Sequence, residues 1–359
     1  MTTALFVVGA ALGHVGRALE VARELVDDDV EVVFAHASPG SGDEYIAPDF
    51  RAIPIDLGLR DTDQFAEELE AVFRAVSPDL ICFDTPPLPW LALVRMPGAP
   101  TMYLTNYFLT SVSDHRTIQE IAFAKDGQSW NERRRARGLA PISDAKSLYM
   151  SDAVVLCDPV GLIDRADQLP APFHAVGPIS WQPAADLPPQ LQAHRRAIVA
   201  SFGSTGAKRP AIADLDALRT ALDCEQVVWT ATEPPDHDLG PNCASFQNIP
   251  LSPLLARAPL AITQAGAGST YLALAAGVPV ALVPNHKNHV ILAGDLERAG
   301  VGALVSDLAA CGPEEIVDRV GRMSVAAKRL QLTSRPGSAA AQAADIARSL
   351  LTSRTASRR

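Results

Sequence analysis

The chain has 359 residues, 48% hydrophobic and 20% charged, with a formal net charge of −10. These values describe a globular protein of about two domains and give no sign of disorder or a fibrous repeat. The acidic balance argues against a general nucleic-acid binder, which concentrates a basic excess on one surface, and no run approaches the ~18 apolar residues of a membrane span.

Leu5–Gly9 reads as a strand, and Val15, Ala18, Leu19, Ala22, Leu25 and Val26 form one stripe of the helix that follows. The apolar run Ala4–Ala11 has no preceding positive charge and no cleavage-like site, so it is expected to be a buried first strand and not a leader. Val30–Ala35 completes a β-α-β unit. Asp79–Phe83 and Thr101–Leu104 are further short apolar runs, and Val154–Cys157 follows a polar helical region, Ser113–Gly138. Within that region the run Arg133-Arg134-Arg135-Ala136-Arg137 reads as a solvated helix face and not a polyanion site.

Pro178–Pro189 holds four prolines and little periodicity, as a linker does. A second series then begins. Ala197–Phe202 is a strand ending in Gly203-Ser204-Thr205-Gly206; Gln226–Thr230 and Leu260–Thr263 follow, the latter leading into Gly266-Ala267-Gly268-Ser269-Thr270, and Val278–Val283 is another strand. The expected organisation is an N-terminal lobe over residues 1–178, a linker over 179–196, a C-terminal lobe over 197–336, and a closing helix and tail over 337–359. Ala339–Leu351 is the helical part of that tail and Thr352–Arg359 its frayed end. The fold class is α/β, with two Rossmann-like lobes facing a central cleft lined by strand carboxyl ends.

The turn Ile262–Thr270 leaves a strand and opens a helix. Its glycines let backbone amides approach an anion, and the helix N-terminus adds roughly half a positive charge. A tight turn with a capping hydroxyl would use the same residues, so this segment alone leaves both readings open. Ser201-Phe202-Gly203-Ser204-Thr205 is a second strand-end loop of similar chemistry. Two such loops in one lobe favour a diphosphate site.

The order "ASFGST", then "FQNIPLSPLLARAPLAITQAGAGSTYLALAAGVPVALVPNHKNH", then "ERAGVG" resembles the donor lobe of glycosyltransferases with the GT-B fold. It is similar to the UDP-glycosyltransferase superfamily, including bacterial natural-product enzymes. "GHVGRALEVARELV" looks like that family's first loop and helix, and "ERRRARGLAPIS" like its helix before the last acceptor-lobe strand. The likeness spans nearly the whole chain and is strongest from Ala200 to Gly302.

That resemblance implies that His14 is the general base removing the acceptor hydroxyl proton, a role suited to imidazole near neutrality. It implies Asp84, in "PDLICFDTPP", as the carboxylate that orients the base. Read without the family, His14 is a helix-start histidine and Asp84 a turn residue before Pro86-Pro87. On the donor side it implies Gly266, Ala267, Gly268, Ser269 and Thr270 as the diphosphate turn, with Ser204 and Thr205 beside it. Ile249 matches a position whose backbone reads the base edge. Asn288 and His289 stand where an Asp-Gln pair grips the sugar, and Gln264 stands where a histidine is usual. The glutamate that holds ribose hydroxyls is replaced by Leu272. An unsatisfied 2′-hydroxyl there costs ~1–3 kcal/mol, which points to a dTDP-sugar donor over a UDP-sugar.

The expected function is therefore inverting, metal-independent transfer of a sugar to a hydroxyl of a small, apolar acceptor such as a polyketide or peptide aglycone, in natural-product or antibiotic biosynthesis. The acceptor pocket is expected from the loops Ser38–Asp63 and Asn106–Trp130, with Tyr103, Tyr107 and Phe108 as its aromatics. No cofactor beyond the nucleotide-sugar co-substrate, no metal and no nucleic-acid partner is expected. Five cysteines, odd in number, widely spaced and without a CxxC pair, suggest neither a disulfide framework nor a zinc site and fit the cytoplasm. The pairs in Asp27-Asp28-Asp29, Asp214-Leu215-Asp216 and Asp236-His237-Asp238 read as solvated turns, and the histidines at 286 and 289 with Lys287 give no metal-ligand spacing. Two alternatives stand: a nucleotide-sugar hydrolase of the nonulosonic acid pathway type, whose start "GH(V/I)xR" is shared, and a non-catalytic auxiliary protein of the same fold.

Overall fold

The computed structural model describes residues 2–27, 29–56, 62–192, 196–202, 209–231, 241–333 and 338–357. In chain order these form β1 Thr2–Val8, α1 Leu12–Leu25, β2 Val30–Ser38, α2 Gly42–Tyr45, β3 Arg51–Asp56, α3 Thr62–Val76, β4 Leu80–Asp84, α4 Pro87–Trp90, β5 Thr101–Thr105, α5 Ile118–Ala136, β6 Ala153–Leu156 and β7 Phe173–Ala175. They continue with α6 Pro189–Gln192, β8 Ala197–Ser201, α7 Ile212–Ala221, β9 Gln226–Ala231, β10 Cys243–Gln247, α8 Ser252–Leu255, β11 Ala261–Thr263, α9 Ala267–Ala275, β12 Val280–Leu282, α10 Lys287–Arg298, β13 Gly302–Leu304, α11 Val305–Ala309, α12 Pro313–Thr333 and α13 Ser338–Ser357.

The chain divides into two compact units. Unit 1 comprises Met1–Asp158, Arg165–Ile179 and Gly337–Arg359; unit 2 comprises Pro159–Asp164 and Ser180–Pro336. Unit 1 holds a seven-stranded sheet in the order β3-β2-β1-β4-β5-β6-β7, every recorded pair parallel. Parallel neighbours need crossovers, and a buried parallel strand needs apolar residues on both faces. The continuous burial of Ala4 to Val8 meets that need. One face is packed by α3 through Phe65, Leu69 and Phe73 against Leu5, Val7, Val33 and Ile81. On the other side α13 packs against α1 and β4.

Unit 2 holds a six-stranded sheet in the order β10-β9-β8-β11-β12-β13, again parallel throughout. Its core joins Ile198, Ala200, Trp229 and Ile262 to Leu215, Leu218, Leu308 and Ile316. Trp229, the largest fully buried side chain, stacks on Phe202 at 4.1 Å between ring centroids. In both sheets the strand order reverses beside the first strand, between β1 and β4 and between β8 and β11. The carboxyl ends at such a reversal are where open α/β sheets bind ligands.

Three readings of the sequence are corrected. The segment expected to be an acceptor loop, Ser38–Asp63, contains α2 and β3; β3 was missed because Pro54 and its half-exposed burial pattern hide an edge strand. The tail expected to fray is helical to Ser357, its Thr352 and Ser353 hydroxyls bonding back to the carbonyls of Arg348 and Ser349. Within the segment read as a linker, the Gln182 side chain accepts from the N–H groups of Leu251 and Ser252, and Leu191 is fully buried. The arginine run is solvated only in part: Arg135 is exposed, but Arg133 pairs with Asp63, Arg137 with Glu70, and Arg134 donates to the carbonyls of Ala92 and Ala140. Asp27 remains a turn residue, accepting from the N–H groups of Asp29 and Val30, and Asp216 pairs with Arg219. Asp28 and Asp236-His237-Asp238 lie outside the described residues.

Candidate functional site

In unit 1 the reversal point carries His14 and Asp84. The turn after β1 is close-packed, with the Gly9 N–H donating to the Asp84 carbonyl at 3.0 Å. A Cβ on Gly9 would stand 3.3 Å from the Thr85 hydroxyl and 3.4 Å from the His14 ring, so glycine leaves room for the histidine. α1 then projects His14 toward the end of β4. His14 Nδ1 lies 2.6 Å from Asp84 Oδ1, with the Asp84 side chain 1% exposed and that of His14 32% exposed. Nδ1 thus faces the carboxylate, and Nε2 is the ring nitrogen turned away from it.

Arg17, one helical turn beyond His14, completes the arrangement. Its Nε and one Nη donate to both oxygens of Asp84 at 2.6 and 2.7 Å, and its other Nη reaches Asn106 Oδ1 at 3.2 Å. The Asn106 amide donates in turn to Asp158, which also accepts the Tyr107 N–H at 2.6 Å. Burial works to raise the Asp84 carboxyl, but the Arg17 guanidinium, followed by His14, outweighs it and holds Asp84 below the usual carboxylate value. Burial opposes the charge of Arg17 as well, yet Asp84 raises it above the ordinary guanidinium value. Arg17, Asn106 and Asp158 were not singled out in the sequence. The spacing of His14 and Arg17, three residues apart on one helix face, was the available signal for Arg17.

The aromatics expected at an acceptor pocket are buried in unit 1. Tyr103, Tyr107 and Phe108 are all core residues, with Tyr103 packed between Phe83 and Tyr149 and its hydroxyl donating to the Thr85 carbonyl. Tyr103 lies within β5, whose side chains the sheet buries on both faces, and Tyr107 and Phe108 follow that strand.

In unit 2 the turn after β11 brings most of the remaining predicted residues together. Ala265 has φ +59°, a left-handed conformation that costs an L-residue about 1–2 kcal/mol, and its N–H donates to the Thr263 hydroxyl. That hydroxyl also pairs with the Thr270 hydroxyl at 2.8 Å. Thr270 is fully buried, so its side chain braces the turn from within, while Ser269 stays partly exposed. Gly266 is the N-cap of α9, no side chain caps that helix, and Gly268 opens onto free space. The start of α9 thus has the open, amide-rich form that suits an anion.

His289, in the first turn of α10, lies across this turn: its Nε2 is 3.5 Å from where a Gly266 Cβ would stand. Its ring lies against that of His286, 3.6 Å between centroids and tilted by 31°. Burial, with His286 adding to it, pushes the His289 imidazole down to about 3, so it is neutral at ordinary pH. His289 Nδ1 and Gln264 Nε2 are buried without a hydrogen-bond partner, an expensive condition that a bound polar group would relieve. Asn288 precedes His289 on α10, and Ile249 is buried between β10 and α8. Ser204 and Thr205 lie outside the described residues. Among the described residues no three His, Cys, Asp or Glu side chains converge as a metal site, and no helix is long and apolar enough to cross a membrane.

Residues 228–350 match the model of the glycosyltransferase family 28 C-terminal domain. The chain is 27% identical over 229 residues to a PGL/p-HBAD biosynthesis glycosyltransferase of Mycobacterium tuberculosis, covering 62% of this chain and 50% of the relative. It is 30% identical over 199 residues to the vancomycin aglycone glucosyltransferase of Amycolatopsis orientalis, covering 51% of this chain and 46% of the relative. The chain thus spans about half the length of the curated relatives it matches. Among solved structures, the glycotransferase of kitacinnamycin superposes with a TM-score of 0.71 over 97% of this chain and 98% of its own, at 17% identity. A calicheamicin glycosyltransferase does so with a TM-score of 0.69 over 98% and 99%, at 20% identity. The fold is that of the GT-B glycosyltransferases, and residues 228–350 are similar to the glycosyltransferase family 28 C-terminal domain.

Proposed function

We propose that this protein is an inverting, metal-independent glycosyltransferase that moves a sugar from a nucleotide-diphosphate donor to a hydroxyl of a small apolar acceptor. The observation that carries the reading is the contact of half-exposed His14 with buried Asp84 at the carboxyl-end reversal of the first sheet. His14 Nε2 takes the acceptor proton as the oxygen attacks the anomeric carbon, and Asp84 stabilises the imidazolium that forms. Relatives with antibiotic and glycolipid names make an aglycone or glycolipid acceptor the natural class.

The donor nucleotide belongs to unit 2. Its diphosphate rests on the amides at the start of α9, beside Gln264 and Ser269, and on Ser204 and Thr205; Ile249 reads the base, and Asn288 and His289 bind the sugar. The departing diphosphate is stabilised by helix and amide dipoles. Leu272 in place of a ribose-binding glutamate makes a dTDP-sugar the preferred donor. The work is placed in the cytoplasm, where five unpaired cysteines are at home.

The test is a thermal-shift titration with dTDP, UDP and GDP at matched concentrations, since a bound nucleotide stabilises the folded state by mass action. The reading expects dTDP to stabilise most. Stabilisation by none of the three would leave the donor site without function.

A further inference from the structure

The Arg17 contacts assign that residue a function beyond structure, and the inference rests on the reading of His14 as a base. We propose that Arg17 is a positioning residue that satisfies the charge of Asp84, so that His14 is left in its unprotonated, proton-accepting form.

A carboxylate that is 1% exposed requires a cation or several donors. His14 could supply that cation only by being held as imidazolium, and an imidazolium cannot serve as a base. Arg17 removes this demand. It occupies both oxygens of Asp84, is itself buried, and remains charged at every working pH.

The other groups around the pair do not replace it. From β5 and its following turn come Tyr103 and Asn106, from the segment before β6 Tyr149, and from the end of β6 Cys157 and Asp158. Burial keeps both tyrosines neutral, and the Cys157 thiol, pushed up to about 12, is neutral too. Asp158 is a second buried carboxylate, which meets Arg17 through Asn106. Removing Arg17 would leave His14 facing Asp84 without the guanidinium that now occupies both of its oxygens. Arg17 also holds the Asp84 carboxylate in place through both oxygens and lowers its basicity, so that a proton taken from an acceptor stays on the imidazole.

The experiment uses the full chain and needs no turnover, which separates its failure from failure of the transferase reading. Diethyl pyrocarbonate acylates neutral imidazole, and peptide mass spectrometry reads His14 alone. The measured quantity is the His14 acylation rate near neutral pH divided by that in mild alkali, a ratio that cancels changes in accessibility. Arg17→Gln is expected to lower this ratio by about threefold or more, and Arg17→Lys, which keeps the charge, to restore most of it. An unchanged ratio in folded Arg17→Gln overturns the proposal. Should that variant not fold, ¹⁵N spectra of the wild-type imidazole near neutral pH decide: a neutral ring with its proton on Nδ1 is expected, and an imidazolium overturns the proposal.

Discussion

His14 and Asp84 stand 70 residues apart in the chain and 2.6 Å apart in the fold, joined through Nδ1 and one carboxylate oxygen. β1 and β4 are adjacent parallel strands, so the loops at their carboxyl ends open side by side.

From this follows a split between chemistry and binding. His14→Ala should lower kcat/KM for glycosyl transfer by about 10²- to 10⁴-fold and leave nucleotide affinity, a property of unit 2, unchanged. Asp84→Asn should reduce transfer and also destabilise the fold by about 3–5 kcal/mol, because it strips a buried arginine of its partner. Steady-state kinetics paired with urea denaturation checks both.

The proposed donor preference is attached to one side chain. Leu272→Glu should strengthen UDP binding by about tenfold relative to dTDP, the gain expected when one ribose hydroxyl acquires an acceptor. Calorimetric titration of both nucleotides against both proteins measures it; an unchanged ratio would remove Leu272 from the explanation.

His289 predicts a pH dependence of stability. The unfolded histidine titrates near 6.5, whereas in the fold burial and His286 push it down to about 3. Between those values the unfolded chain binds a proton that the folded chain refuses, so stability is full above the upper value and falls as pH drops toward the lower. His289→Gln should therefore show a smaller loss of urea midpoint than wild type between about pH 7.5 and pH 5.

Gly42 is fixed by a neighbour and not by its own backbone. A Cβ there would lie 2.6 Å from Nδ1 of buried His36, at the end of β2. Gly42→Ala should cost about 1–3 kcal/mol through overpacking, measured as a lowered midpoint of denaturation.

The interior of both sheets was legible in the sequence and the edges were not. β1, β2, β4, β5 and β6 in one sheet and β8, β9, β11 and β12 in the other each appear as a short apolar run, because a central parallel strand is buried on both faces. The strands that escaped notice, β3, β7, β10 and β13, are the four edges. β3, apart from buried Ile55, and β10 consist of exposed and half-buried residues, and β7 and β13 are three residues long. The site divides in a similar way. His14, Asp84 and the turn from Gln264 to Thr270 stand out in the sequence because loops at strand ends and helix starts carry recognisable residue orders. The Arg17-Asn106-Asp158 chain does not, since it joins a helix face to two later strand ends that only the fold brings together. The same is true of the inward turn of Thr270, which depends on the Thr263 hydroxyl beneath it.

The most direct measurement is sugar transfer itself: incubation of wild type and His14→Ala with a dTDP-sugar, with and without a panel of aglycones, and mass spectrometry of the products. The expected result is a glycosylated aglycone made by wild type, accumulation of dTDP that depends on the acceptor, and loss of both in His14→Ala with dTDP binding intact. Nucleotide release at the same rate without any acceptor, or transfer by His14→Ala at the wild-type rate, would contradict a His14-driven glycosyltransferase.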